Sequence, residues 1–203
     1  MEVLELKPVK NKTVRAYIFK KGRYEFPGDI KKLSKFLNEK NIKFITFDFD
    51  FDMKEFSKTD FARLLHDMDI SYHQVDIPEY AMGYLYEEIL EKEKLFKELV
   101  EEYQNLDDKE SYKGLSLKNW IDMLRDEIQE KEINLSLKLR PQWIAKKMLD
   151  LARRYNSSEI TFMHFVQEDI CEDICSELAG ILRNLNVRVV QYTKKHNIKH
   201  IVF

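Results

Sequence analysis

Lys43 to Asp52 reads KFITFDFDFD, a short apolar run that ends in three phenylalanines interleaved with three aspartates. Side chains alternate faces along a β-strand, so Phe47, Phe49 and Phe51 fall on one side and Asp48, Asp50 and Asp52 on the other. Amphipathic helix patterns precede and follow the stretch. This is how a central strand of an α/β sheet ends, and ligands of such sheets bind outside the carboxyl ends of the strands. A candidate site therefore lies where the aspartates emerge.

Outward from this strand the chain keeps one rhythm. VRAYIF, Val14 to Phe19, is a first strand; a loop with Gly22, Pro27 and Gly28 leads to a helix near Asp29 to Lys40, with Asp29 as its N-cap. After the acidic strand a helix is expected from about Lys54 to Met68. A third strand follows over ISYHQVDI, Ile70 to Ile77, and stops at Pro78. Parallel neighbours require a crossover, so strand-helix repeats of this length predict βαβ units.

From Pro78 the pattern is helix alone. Met82, Leu85, Ile89, Phe96, Leu99 and Tyr103 trace one 3.6-residue stripe; beyond a polar break at Asn105 to Gly114, Leu117, Trp120, Ile121, Leu124 and Ile128 trace a second. Two such helices predict an antiparallel hairpin over residues 79–137. Exposing both stripes would be costly, so Phe96, Val100, Trp120 and Leu124 are expected to be covered by the sheet domain or by a second copy of the chain. A third helix opens near Arg140 and Pro141, the proline suiting a first helical position. EITFMHFV (Glu159 to Val166) and VRVVQYT (Val187 to Thr193) then flank a helix over Asp169 to Asn184, and the terminal IKHIVF is a candidate sixth edge strand.

These elements predict one α/β domain over residues 1–203, three-layered and Rossmann-like in the broad sense. Its mainly parallel sheet has five or six strands, and the helical hairpin is inserted within it. With 203 residues, 44% hydrophobic and 34% charged, the chain can bury one sizeable core beneath a heavily charged surface. A net charge of -2 supplies no global field for nucleic acid or for an anionic membrane. No apolar run approaches the roughly 20 residues that span a bilayer, and the start MEVLELKPVKNK lacks the order of a secretory signal, so the cytoplasm is the expected location. Cys171 and Cys175 sit four residues apart on an apolar helical stripe with Ile174, Leu178 and Leu182, which reads as buried structural thiols.

The candidate chemistry gathers at strand ends. Asp48 and Asp50 have the donor type for Mg²⁺, a hard cation that takes one or two carboxylates plus phosphate oxygens and water. The alternating DxD also resembles haloacid-dehalogenase-type phosphotransferases, but Phe51, Asp52 and Met53 stand where that group carries Gly-Thr. The bland reading is a solvent-facing strand end whose last carboxylate caps the next helix. His164, toward the end of the fourth strand, has the titration range of a general base or metal ligand and would approach Asp48 if strands two and four are neighbours. Lys138, Arg140, Lys146, Lys147, Arg153 and Arg154 surround one helix, yet acidic neighbours interrupt them and no nucleic-acid module is present, which argues against nucleic acid as a partner.

The order of these residues has a likeness. The chain resembles the TraB/PrgY pheromone-shutdown proteins and their relatives, the ChaN-like and erythromycin-esterase-like proteins, over about Val14 to Tyr192. In that group an early strand ends in a Gly-x-x-His type motif, a second strand in an acidic residue and a third near an Asp. A helix opened by an Arg then leads to a strand ending in Gly-x-x-His. Asp48, Asp76 in QVDIP, Arg140 in LRPQWIAKKM and His164 in ITFMHF stand at the corresponding positions. KKGRYEF after the first strand has no histidine, and Phe162 and Met163 replace the glycine before His164. The resemblance implies a derivative with an eroded ancestral site. Its expected function is a non-catalytic regulatory or assembly module that binds a protein partner or a second copy through the hairpin and needs no cofactor. The alternative is a Mg²⁺-dependent hydrolase or phosphotransfer enzyme using Asp48, Asp50, Asp76 and His164, with Arg140 as a binding residue.

Overall fold

A computed structural model of the chain describes residues 4–21, 29–48, 52–167 and 171–192. The chain divides into two compact units, Met1–Asp76 with Arg140–Phe203, and Ile77–Leu139. The first is an α/β unit. Its strands are β1 (Thr13–Lys21), β2 (Ile42–Phe47), β3 (Ser71–Gln74), β4 (Glu159–Gln167) and β5 (Val187–Tyr192), in the order β3-β2-β4-β1-β5. Every pairing is parallel. The IKHIVF segment lies outside the described residues, as do Gly22, Pro27 and Gly28.

Period-two alternation sorts the strand residues to two faces. Tyr17, Phe19, Ile45, Phe47, Met163 and Phe165 pack with Leu33 and Leu37 of α1 (Ile30–Glu39), Phe56 of α2 (Met53–Ser57) and Phe61 and Leu65 of α3 (Asp60–Asp67). Val14, Ala16, Ile18, Phe44 and Phe162 pack instead against the helices α6 (Arg140–Arg154) and α7 (Cys171–Asn184). Register places aromatic rings opposite each other on both faces. Phe47 stacks on Phe165 at 5.4 Å and Phe44 on Phe162 at 4.9 Å. Each such pair adds about 0.5–1.5 kcal/mol to the area it buries. Cys175 is buried within the α7 side of this core, and no helix among the described residues is long and apolar enough to cross a membrane.

Two elements are shorter than the sequence suggests. The expected helix over 54–68 is interrupted where Thr59 caps α3 by accepting from Ala62 N. The third strand ends at Gln74, and Pro78 then opens the next helix.

The second unit holds α4 (Glu79–Gln104) and α5 (Tyr112–Ile133), followed by a π-helical segment, Asn134–Leu139. Leu99, Ile121 and Leu124 form its buried centre, with Phe96, Val100, Tyr103, Leu117 and Ile128 packed around them. Phe96, Val100 and Leu124 are thus covered by the hairpin itself. Trp120 is exposed. Lys92 to Glu127 and Lys131 to Glu88 are ion pairs that tie the two helices together. A Cβ at Gly114 would lie 2.3 Å from the Lys109 carbonyl oxygen, so the tight entry to α5 requires glycine there.

Candidate functional site

Three consecutive strands of the sheet bring their carboxyl ends side by side, and each carries one of the singled-out residues. Asp48 follows β2, Asp76 follows β3 and His164 lies on β4. Thr46 is in register with His164, as Phe47 is with Phe165, and the Asp48 amide donates to the Phe165 carbonyl at 3.3 Å. Alternation after Phe44 and Phe162 turns Thr46, Asp48 and His164 to the face covered by α6 and α7. All three are fully buried. Asp48 is therefore not the solvent-facing strand end of the bland reading.

Arg140, the first residue of α6, reaches across this rim. Its Nε donates to Asp76 Oδ1 at 2.8 Å and its Nη2 to Asp76 Oδ2 at 2.5 Å, a bidentate fork. The same Nη2 donates to the Asp48 carbonyl at 3.0 Å. One turn on, Trp143 Nε1 donates to the Asp76 carbonyl at 3.2 Å. The ends of β2 and β3 and the start of α6 are thereby pinned by one guanidinium and one indole. The Asp76 and Arg140 side chains are only 21% and 16% exposed, so the pair operates with little competition from water.

His164 is the other buried polar group. Its Nδ1 lies 3.0 Å from Thr46 Oγ1, which in turn donates to the Met163 carbonyl at 3.4 Å. A hydroxyl that gives its proton to a carbonyl accepts from the ring, so Nδ1 carries the hydrogen and Nε2 presents a lone pair. Nε2 is buried and has no hydrogen-bond partner among the described residues. Burial, chiefly, pushes the His164 pKa down to about 3; hydrogen bonding to the Thr46 backbone opposes this and the Arg140 charge adds to it. The imidazole is neutral at pH 7.

Asp50 lies outside the described residues, so its pairing with Asp48 as a Mg²⁺ site is not described. Asp52 is the N-cap of α2, accepting from Lys54 N at 2.7 Å and Glu55 N at 3.4 Å, as the bland reading of the acidic run held for its last carboxylate. Among the described residues no three of His, Cys, Asp and Glu gather into a metal-binding group. The basic run on α6 is largely engaged: Arg140 with Asp76, and Lys146 and Arg153 both with Asp150. Sequence reasoning missed Thr46 and Trp143. The signal for both was positional, Thr46 two residues before Asp48 on the same strand face and Trp143 three residues after Arg140 on the same helix face. Compared with protein-family models, with characterised proteins and with solved structures, the chain finds no match.

Proposed function

We propose that the chain is a non-catalytic regulatory or assembly module on a degenerate TraB-like α/β fold, with the helical hairpin as its surface for a second copy or a protein partner. The observation that carries this reading is the state of Arg140. A binding arginine at a helix opening has to present its fork to a ligand, and here the fork is spent on the Asp76 carboxylate and the Asp48 carbonyl. Asp48 and His164 lie buried beside it, so the residues of the eroded motif hold strands together. The order of acidic strand ends, helix-opening arginine and late-strand histidine supports the TraB-like ancestry.

One observation favours a second reading, the metal-dependent hydrolase or phosphotransfer enzyme. His164 Nε2 offers an unused lone pair on the same face as Asp48. The described donors do not fit Mg²⁺, which prefers oxygen ligands, because Asp76 is held by Arg140 and His164 offers a nitrogen. A screen for phosphatase, esterase and nuclease turnover, with Mg²⁺, Mn²⁺ or Zn²⁺ added, separates the readings. The non-catalytic module gives no turnover that Asp48→Asn or His164→Ala removes. Turnover abolished by either change in a folded variant establishes the enzyme.

A further inference from the structure

Helix α5 has two apolar faces. One carries Leu117, Ile121, Leu124 and Ile128 into the hairpin core. The other carries Tyr112, Leu115, Trp120 and Met123, which are 89%, 54%, 62% and 61% exposed. At about 100° per residue these four share a sector of roughly 140° whose centre lies about 140° from that of the core stripe, with Ser116 and Asn119 between them. From Tyr112 to Met123 no charged residue falls inside that sector; Lys113 and Asp122 flank it.

We propose that this face pairs with the same face of a second copy, the two α5 helices running antiparallel about a two-fold axis that passes between Leu117 and Lys118. The pairing rests on the reading of the hairpin as an assembly surface and specifies its occupant. An isologous interface must be complementary to itself. Tyr112 and Met123, Leu115 and Trp120, and Ser116 and Asn119 lie at equal distances on either side of that axis. Tyr112 therefore meets Met123 in the outer layers, Leu115 and Trp120 flank the seam on its two sides, and two small polar residues at the centre let the helices approach closely. Complete burial of the four exposed side chains removes at most about 600 Å² from water per copy and roughly 1,200 Å² in the pair, the lower end of the range of specific interfaces. Trp and Tyr are also the side chains on which binding energy concentrates.

Sedimentation of the full chain between 1 and 100 µM tests the pairing, with thiol-specific geometry as the second readout. A concentration-dependent dimer is expected, abolished by Trp120→Glu with the far-UV circular dichroism unchanged, and unaffected by Leu90→Glu on the exposed side of α4. In the antiparallel pair the two copies of residue 119 are about 4.5 Å apart along the helices and the two copies of residue 112 about 16 Å. Mild oxidation should therefore join Asn119→Cys into a covalent dimer and leave Tyr112→Cys, like the wild type, unjoined. A monomer throughout the range, a dimer that survives Trp120→Glu, or equal cross-linking at both positions overturns the pairing. None of these touches the non-catalytic reading, which fails only on turnover in the hydrolase screen.

Discussion

Thr46 and His164 face each other across the β2–β4 ladder, hydroxyl oxygen to Nδ1 at 3.0 Å, with both side chains out of reach of water. The imidazole pKa of about 3 lies well below its unfolded value near 6.5, so the unfolded chain binds the proton first as the pH falls. The stability this group contributes is complete above pH 6.5 and is lost as the pH drops toward 3, by up to about 1.4 kcal/mol per pH unit. Urea titrations at pH 6 and pH 5 should show the wild type losing about 1 kcal/mol more than His164→Gln over that interval. Equal losses would place a protonated ring in the folded chain.

Arg140 and Asp76 form the pin between the β3 end and α6, and the fork is what matters. Replacing Arg140 with Ala leaves the largely buried carboxylate uncompensated, and a loss of about 2–4 kcal/mol is expected in urea denaturation. Arg140→Lys should recover less than half of it, because an ammonium cannot bond both Asp76 oxygens and the Asp48 carbonyl in one plane. Full recovery by lysine would mean that charge alone holds the rim together.

At the opposite ends of the same strands, Tyr155 closes a relay with a defined direction. Its hydroxyl donates to the Lys43 carbonyl at 3.2 Å, accepts from Ser71 Oγ at 2.8 Å, and Ser71 accepts from His73 Nε2 at 3.2 Å. Burial, then the Arg154 charge, lowers the His73 pKa and so favours the neutral ring. Tyr155→Phe keeps the stack on Phe44 and removes two hydrogen bonds, for an expected loss of about 1–3 kcal/mol. A loss below a few tenths would show that water replaces the hydroxyl at no cost.

The alternation of Phe44, Thr46 and Asp48 against Ile45 and Phe47 made β2 legible, and with it the rim on which Asp48, Asp76 and His164 meet. The neighbourhood of β2 and β4 was not legible. It depends on β4 entering the sheet between β2 and β1, a consequence of the long crossover through residues 75–158 that no local pattern records. Arg140 and Asp76 each stood out in the sequence as single residues at element ends. Their bond joins positions 64 residues apart, and only folding could turn a candidate ligand-binding arginine into an internal cross-link. The hairpin was legible as two stripes, but Trp120, grouped with the core stripe, stands exposed at its margin. A residue at the edge of a wide apolar sector is assigned to a face by its neighbours' packing as much as by its own position.

If the buried residues of this rim serve structure alone, the polar cluster under α6 is closed to ligand, and the His164 ring reports whether it is. In a ¹⁵N-imidazole NMR titration of the full chain, His164 should show one neutral tautomer protonated at Nδ1, unchanged from pH 8 to pH 5. Equimolar Mn²⁺ should leave its signals no broader than those of His66. Selective broadening of the His164 signals by Mn²⁺, or titration of the ring near pH 6.5, would contradict the claim and open the cluster to ligand and to chemistry.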